Sequence, residues 1–347
     1  MIKSIFPIQD ASLYKETPKL NSGLDEILEA GKPGTGSNAI RSLLQFDITD
    51  ISASLASGTL PISTQFFLKL YIANSVGLEA SQTIYTYPVS QSWSEGTGYA
   101  TDLATNPSDG ATWSYRTGVV AGLPWTGSTF YTTLNAINYE ATYTFGYPFT
   151  DPVLDISKTV RAWVSGTFAN NGVVVKISDN QESNTGSIAH FSFFSQQTHT
   201  IYQPKIISSW NSQSFITGSL LPSDITNSSI GLRNLQPTYS PNSIVRVNIG
   251  TREKYPPKSF LTASAQYRNT QYLPSTSYYA IIDDETKTRL VDYTEATRIS
   301  CDSSGSYFYM STSGLFPTRT YKILLRVITT DIDQVIDTQM PFRIINE

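Results

Sequence analysis

The chain has 347 residues, of which 39% are hydrophobic and 12% aromatic, so it has apolar side chains for sizeable cores and is not disordered on composition. It carries 24 basic and 28 acidic residues, a net charge of −4, which argues against a basic face that binds nucleic acid. The single cysteine, Cys301, excludes an internal disulfide framework, and no apolar run is long enough to predict a membrane-spanning helix.

Most segments of the N-terminal half alternate apolar and polar residues, a pattern that predicts short strands between turns. The clearest strand candidates are residues 41–48 (RSLLQFDI), 64–73 (TQFFLKLYIA) and 170–177 (NNGVVVKI). Residues 157–166 (SKTVRAWVSG) are the best helix candidate, because Ser157 can cap a helix on which Val160 and Trp163 share a face. Residues 23–31 (GLDEILEAG) fit either a short helix or a strand.

The C-terminal part begins after a Ser-, Thr- and Asn-rich stretch, residues 213–231, which we interpret as a linker or an arm. Beyond it, residues 277–293 predict a hairpin around an Asp-Asp-Glu-Thr turn, and residues 321–328 alternate as a half-buried strand. We therefore predict an all-β protein with two domains: a jelly-roll sandwich at 1–212 and an immunoglobulin-like β-sandwich at 232–347.

Several N-terminal motifs, taken in order, resemble the DNRLRE-type jelly-roll domain. The matching segments are residues 39–49 (AIRSLLQFDIT), 68–73 (LKLYIA), 91–98 (QSWSEGTG), 110–116 (GATWSYR), 154–177 (LDISKTVRAWVSGTFANNGVVVKI) and 201–210 (IYQPKIISSW). The form with WSEGTG, GATWSY, NNGVVVK and FFSQQTHTIYQPK in succession is similar to structural proteins of tailed bacteriophages.

The C-terminal block resembles the immunoglobulin-like domain that accompanies this module in such proteins. The resemblance is carried by residues 251–260 (TREKYPPKSF) and 314–321 (GLFPTRTY). The spacing of Leu315, Pro317 and Tyr321 resembles the tyrosine corner of fibronectin-type sandwiches, in which the tyrosine hydroxyl donates a hydrogen bond to the backbone.

The resemblance implies a non-enzymatic virion component in a neck, collar, tail or capsid-associated assembly. Its expected partners are other virion proteins and copies of itself, with no nucleic acid, membrane or cofactor, and it would be assembled in the host cytoplasm. The first residues, MIKSIFPIQDASLYKETPK, lack the apolar core of a signal peptide, which agrees with that expectation. The alternative is a carbohydrate-binding appendage that aids attachment to host glycans.

The two histidines, His190 and His199, lie within ten positions of each other and raise the question of a metal or catalytic site. Strand alternation does not place them as a simple i, i+2 pair, so we expect each to be a separate surface or half-buried side chain. No metal ligand and no catalytic residue is therefore assigned. A calcium site could lie near the Asp-rich loops of such a jelly roll, with Asp47, Asp50 and Asp155 as candidates by residue type only, but no EF-hand-like spacing is present and none is assigned.

Paired carboxylates for glycoside cleavage remain an open alternative in principle. Candidates by type are Glu95, Asp102, Asp109 and Glu140, and no feature of the sequence singles out a pair. A Gly-x-Ser-x-Gly nucleophile motif is not present. We expect these carboxylates to be solvated loop residues and the protein not to be an enzyme.

The tryptophans supply the contact candidates. Trp163 and Trp210 are expected in the core, whereas Trp93, Trp113 and Trp125 fall in a long loop-like region. These three side chains could stack on sugar rings or contact a neighbouring subunit, and we favour the subunit contact.

A basic segment in the C-terminal part supplies a second contact candidate. Arg252, Lys254 and Lys258 cluster around Tyr255 and a Pro-Pro pair, which stiffens and exposes the chain. This segment could meet an acidic neighbour, or it could be a solvated strand edge guarded against unwanted pairing.

Overall fold

The structure is a computed structural model that describes residues 1–36, 38–77, 81–101, 109–120, 122–186, 188–255 and 270–345. It is an all-β protein with 43% of residues in strands and 8% in helices, which confirms the predicted fold class. The chain divides into two compact units, one formed by Ser4–Ile207 and the other by Met1–Lys3 with Ser208–Glu347.

The regular structure of the first 209 residues consists mainly of short strands. In chain order they are β1 (Ile2–Ile5), β2 (Pro7–Tyr14), β3 (Ile27–Lys32), β4 (Ile40–Phe46), β5 (Gln65–Lys69), β6 (Ile72–Val76), β7 (Thr83–Pro88), β8 (Thr133–Leu134), β9 (Ile137–Asn138), β10 (Ala141–Thr144), β11 (Val153–Asp155), β12 (Val173–Lys176), β13 (Ile188–Phe194) and β14 (Lys205–Ser209). Short helices interrupt them: α1 (Thr49–Ala56), α2 (Ser157–Val164) and α3 (Asp179–Ser183).

The N-terminal unit is a jelly-roll-like β-sandwich. Its large, curled sheet has the order β10-β7-β12-β4-β3-β13-β6, with β2 also paired to β4, and a smaller sheet has the order β1-β14-β5-β11. Alternate side chains of β4, β5 and β12 are fully buried, among them Leu44, Phe46, Phe66, Val173 and Val175. These residues form the core that strand alternation predicted.

The opposite face of the large sheet is also buried. Leu43 of β4 and Val174 of β12 point away from the core just described, since they alternate with its members. They join Ala11 and Leu13 of β2 in a cluster covered by Trp93, Ala111 and neighbouring aromatic rings. The covering layer is a folded segment between β7 and β8, and this segment carries the candidate site.

The two helix candidates have different outcomes. The segment 157–166 forms α2 with Val160 and Trp163 buried, as predicted, but Ser157 is its first helical residue and not its cap. The carboxylate of Asp155 accepts a hydrogen bond from the Ser157 amide at 2.9 Å, while the Ser157 hydroxyl bonds the amide of Phe66. The ambiguous segment 23–31 contributes to β3, so its strand interpretation is the correct one.

The C-terminal unit contains the remaining strands. They are β15 (Leu221–Pro222), β16 (Ser228–Leu232), β17 (Thr238–Tyr239), β18 (Ile244–Glu253), β19 (Gln271–Tyr272), β20 (Ser277–Asp283), β21 (Arg289–Val291), β22 (Ser300–Asp302), β23 (Gly305–Ser311), β24 (Thr320–Ile328) and β25 (Asp333–Ile344), with a 3-10 turn at Glu295–Thr297.

These strands form an immunoglobulin-like sandwich. One sheet has the order β16-β18-β23-β22 and the other β17-β25-β24-β20-β21, the arrangement of seven-stranded immunoglobulin-type domains with one strand added at each edge of the second sheet, β17 and β21. Tyr279 and Phe308 stack between strands of the two sheets with ring centres 4.2 Å apart. The predicted hairpin at 277–293 is formed by β20 and β21.

The interpretation of residues 213–231 as a linker or arm is wrong. Phe215 forms a parallel bridge with Cys301, β15 pairs with β19, and β16 pairs with β18 along its full length. The segment is therefore part of the C-terminal unit. Its Ser-, Thr- and Asn-rich composition lacks periodicity because its strands are short and the first of them, β15, is exposed.

The predicted tyrosine corner is present. The Tyr321 hydroxyl, at the start of β24, donates a 2.9 Å hydrogen bond to the carbonyl of Phe316. Beside it, Arg319 forms two hydrogen bonds of 2.5 and 3.0 Å with the fully buried carboxylate of Asp283. The guanidinium of Arg319 lowers the pKa of Asp283 to about 2, so the Asp283 carboxyl is ionised and paired with Arg319 at neutral pH.

Candidate functional site

Trp113 and Trp125 come together on the outer face of the large sheet. Tight hydrogen bonds fold the segment that carries them: Thr112 N donates to the Tyr115 carbonyl at 2.7 Å, and Trp125 N donates to the Ser114 carbonyl at 3.2 Å. The Trp125 indole Nε1 donates to the Thr112 carbonyl at 2.9 Å. Both side chains are half-buried, so part of each remains accessible to solvent.

Arg41 of β4 supplies the charge at this position. Its guanidinium carbon lies 4.7 Å from the centre of the Trp113 ring and 5.6 Å from that of Phe130. Its Nε and Nη2 donate to the two carboxylate oxygens of Glu182 at 2.9 and 2.6 Å. A planar guanidinium held along one edge and stacked on a ring has little freedom left.

Glu182 is itself held by α3 and by a buried lysine. The helix starts with a capping box in which Ser178 and Gln181 exchange hydrogen bonds. The Lys176 amine, on a side chain only 1% exposed, lies 3.4 Å from Glu182 and 2.5 Å from Asp179. These three side chains, Lys176, Asp179 and Glu182, are here termed the ionic lattice, and through Glu182 they hold the Arg41 guanidinium in place.

The result is a small cleft of about 100 Å³, here termed the aromatic cleft. Its floor is aliphatic and its walls are indole rings, with one guanidinium and one hydroxyl-bearing side chain at the rim. The lining residues are Leu13, Arg41, Leu43, Trp113, Trp125, Thr129 and Val174. This combination suits a ring with an apolar face and polar edges.

Trp93 does not belong to this surface, contrary to its selection as a contact candidate. Its side chain is 6% exposed, and its indole Nε1 donates to the Asn171 carbonyl at 2.9 Å. The loop that holds it is tied down by Asn21, whose amide donates to the carbonyls of Glu95 and Ala111. Trp93 is therefore a core residue, as are Trp163 and Trp210, which were expected in the core.

A second surface, here termed the aromatic loop, is residues 146–153, which follow β10 and end with Val153, the first residue of β11. Tyr147 is 91% exposed, and Phe149 and Val153 are also exposed. The Tyr147 and Phe149 rings meet edge to face, with centres 6.4 Å apart. This loop was not among the contact candidates, although the aromatic string TFGYPFT (144–150) marks it in the sequence.

The basic segment of the C-terminal unit is only partly described. Arg252 lies in β18, opposite Ser229 of β16, and is exposed. Lys254 donates to the Thr226 carbonyl at 2.8 Å, and Tyr255 is exposed. Lys258 lies outside the described residues, so the predicted cluster around Tyr255 stays a prediction.

The histidines occupy separate positions. His190 of β13 is half-buried, with Nε2 3.2 Å from Glu29 Oε1, while the exposed His199 lies 3.7 Å from Glu26. Phe191 and Phe193 of the same strand are buried on the other face, as the alternation predicted. Within the described ranges, no three His, Cys, Asp or Glu side chains converge as a metal site would require.

The candidate carboxylates hold loops. Glu140 accepts a 2.6 Å hydrogen bond from the Tyr87 hydroxyl, and Asp109 accepts from the amide and hydroxyl of Thr97. Asp47 accepts a hydrogen bond from the Thr49 amide at the start of α1. Asp155 likewise accepts one from the Ser157 amide at the start of α2. Asp102 lies outside the described residues.

Glu95 belongs to a buried polar node. Its Oε1 accepts from the Asp10 amide at 2.9 Å and from the Gln197 side chain at 3.1 Å, and the Asp10 carboxyl accepts from the Gln196 amide at 2.6 Å. Burial, reinforced by the nearby Glu95, raises the pKa of Asp10 to about 8. Asp10 is thus protonated at neutral pH and joins three segments of the unit.

Lys205 is a second buried titratable group. Its amine lies 5.7 Å from the centre of the Tyr71 ring, and the Lys69 amine lies 4.8 Å from the same ring. Burial, together with the charge of Lys69, lowers the pKa of Lys205 to about 7. The lysine of the IYQPK motif is therefore a buried residue whose amine is partly uncharged at neutral pH.

Comparisons with known proteins leave the family open. No family model matches the chain, and no curated protein matches it. A solved DUF4785 family protein from Legionella pneumophila aligns with 99% of this chain at 8% identity and a TM-score of 0.23. The chain spans 61% of the length of that protein. Among the described helices, none has the length and apolar character needed to cross a bilayer.

Proposed function

We propose that this chain is a non-enzymatic structural component of a tailed-bacteriophage virion. It is held in a neck, collar, tail or capsid-associated assembly by contacts with other virion proteins and with copies of itself. The ordered motifs WSEGTG, GATWSY, NNGVVVK and FFSQQTHTIYQPK support this proposal through their resemblance. Two β-sandwich units in tandem suit a protein that presents surfaces rather than a reaction centre.

The aromatic loop is the observation that carries the assembly role. Tyr147, Phe149 and Val153 expose apolar surface on one short connection. Exposure of clustered apolar surface to water is unfavourable, so such surface marks interaction sites. Tyrosine and phenylalanine are enriched in the buried centre of protein interfaces. A neighbouring virion protein would cover these side chains.

A double variant, Tyr147→Ser with Phe149→Ser, tests this role. We expect the variant protein to keep the melting temperature of the wild type, because both side chains are exposed, and to be depleted from purified particles when supplied in place of the wild type. Ile62→Ser is the matched control, since Ile62 is an apolar residue of the same unit that is exposed to nearly the same degree as Tyr147. Normal incorporation of the double variant would remove the loop from the proposal.

The aromatic cleft favours a second function, recognition of host glycans by the same virion protein. Trp113 and Trp125 present indole rings beside the Arg41 guanidinium in a cleft of about 100 Å³. Sugars bind proteins by stacking their CH faces on such rings while polar groups take the hydroxyls. A glycan array probed with the wild type and with Trp113→Ala tests this, and equal signals from both proteins would contradict it.

A further inference from the structure

Among the described residues, the charge that lines the aromatic cleft is positive. Of the seven described lining residues, Arg41 is the only one with a charged side chain. The Lys15 amine lies 6.0 Å from the centre of the Trp113 ring, which places a second cation beside the same wall. The carboxylates of Asp179 and Glu182 are taken up by Lys176 and Arg41 and do not line the cleft.

Arg41 also has donor capacity left. Glu182 takes Nε and Nη2, and no described residue accepts a hydrogen bond from Nη1. The guanidinium is therefore fixed in position by one carboxylate while part of its fork remains able to bind another oxygen. A preorganised cation of this kind binds an anionic oxygen more strongly than a neutral hydroxyl.

The size of the cleft limits what enters. A volume of about 100 Å³ between two indole rings admits part of one ring but not a chain of rings. The aliphatic floor of Leu13, Leu43 and Val174 requires an apolar face on the part that is inserted. A pyranose ring with a carboxylate has that face on its CH groups and the anionic oxygen on its edge.

We propose that the aromatic cleft binds a terminal acidic sugar, a uronate-type residue, with its CH face against the tryptophan walls and its carboxylate at Arg41 and Lys15. This inference rests on the second proposed function, glycan recognition, and specifies its ligand class. A neutral sugar could stack on the same rings but would offer no anionic acceptor to the Nη1 donor of Arg41 and the Lys15 amine.

The test uses isothermal titration calorimetry of the full chain with galacturonate, mannuronate and glucuronate oligosaccharides, each paired with its carboxyl-methylated form. We expect at least one acidic oligosaccharide to bind about tenfold more tightly than its ester, a difference that one charge-assisted hydrogen bond can supply. Trp113→Ala should abolish this binding, and raising the salt concentration should weaken it.

Two further variants distinguish a loss of binding from a folding defect. Lys15→Gln removes a charge without removing a wall, so it should reduce the acid-to-ester preference while leaving the melting temperature unchanged. Lys287→Gln, at an exposed lysine of the C-terminal unit, should bind like the wild type.

Each other outcome contradicts the inference in a distinguishable way. Equal binding of acids and esters overturns it while leaving glycan recognition standing. Absence of binding to every acid and ester overturns the inference, and a glycan array without a hit overturns glycan recognition as well. Binding of an acidic aromatic peptide, acetyl-Tyr-Glu, without binding of any uronide would assign the cleft to a protein partner instead.

Discussion

Arg41 stacks on Trp113 with the guanidinium carbon 4.7 Å from the ring centre, although the two residues are 72 positions apart in the chain. The contact joins the large sheet to the segment that covers its outer face. It depends on Glu182, which fixes the guanidinium from α3. The aromatic cleft is thus assembled from three distant parts of one sandwich.

Glu182→Ala tests the ionic lattice beneath the cleft. Removing this carboxylate leaves Arg41 without its partner and the buried Lys176 with Asp179 alone. We expect a loss of about 3 kcal/mol in the free energy of unfolding, within the range for breaking one partner of a buried ion pair. Denaturant unfolding of the full chain measures it.

The matched control for that change is Glu295→Ala. Glu295 also pairs with an arginine, Arg298, but its side chain is largely exposed. Such a pair contributes less than about 1 kcal/mol, so the control should differ little from the wild type. Equal effects of the two substitutions would show that the lattice is not stabilising.

Asp10 predicts a pH dependence between about pH 5 and 7. Its pKa is raised to about 8 in the folded state, so the folded chain keeps a proton that the unfolded chain releases above its ordinary pKa near 4. Stability from this group is complete at low pH and is lost as pH rises, by at most about 1.4 kcal/mol per pH unit. Asp10→Asn should flatten the profile, and urea unfolding at several pH values would reveal an unchanged slope if the assignment is wrong.

Lys205 predicts the opposite trend at higher pH. Its folded pKa is lowered to about 7, so between about pH 7 and 10 the unfolded chain binds a proton that the folded chain does not. Stability should therefore rise with pH in this window. Lys205→Met should remove the rise and be more stable than the wild type at pH 6, and a less stable variant at pH 6 would contradict the burial of a cation at this site.

The tyrosine corner gives a prediction for the C-terminal unit. Tyr321→Phe removes the hydrogen bond to the Phe316 carbonyl and nothing else from a fully buried ring. We expect a loss of about 1–2 kcal/mol, the cost of one buried hydrogen bond with its acceptor left unpaired. Calorimetric unfolding of the full chain measures this loss. Tyr255→Phe, at an exposed tyrosine, is the control.

Local patterns predicted much of the fold. Alternation located the strands around Leu44, Val174 and Phe191, and the spacing to Tyr321 predicted the corner, because each depends on residues close in sequence. The cap of α2 was misassigned for a physical reason: Asp155 and Ser157 can both serve, and only the fold shows that the Ser157 hydroxyl is used by Phe66.

The candidate site was only half predictable. Trp113 and Trp125 were selected by residue type and loop position, whereas Arg41, on β4, lacks any local feature that marks it as their partner. Trp93 was selected by the same criterion and is buried, because Asn21 and Asn171 draw its loop onto the sheet. Contacts between distant segments decide such outcomes, and periodicity does not report them.

The central claim is that this chain is a structural part of a tailed-phage particle. Cryo-electron microscopy of tailed-phage particles produced from the genome that carries its coding sequence, with mass spectrometry of the same purified sample, tests the claim most directly. We expect density for both sandwiches in symmetric copies at the neck, collar, tail or capsid, with the aromatic loop of Tyr147 and Phe149 against a neighbour. Purified, infectious particles that lack the chain would contradict it.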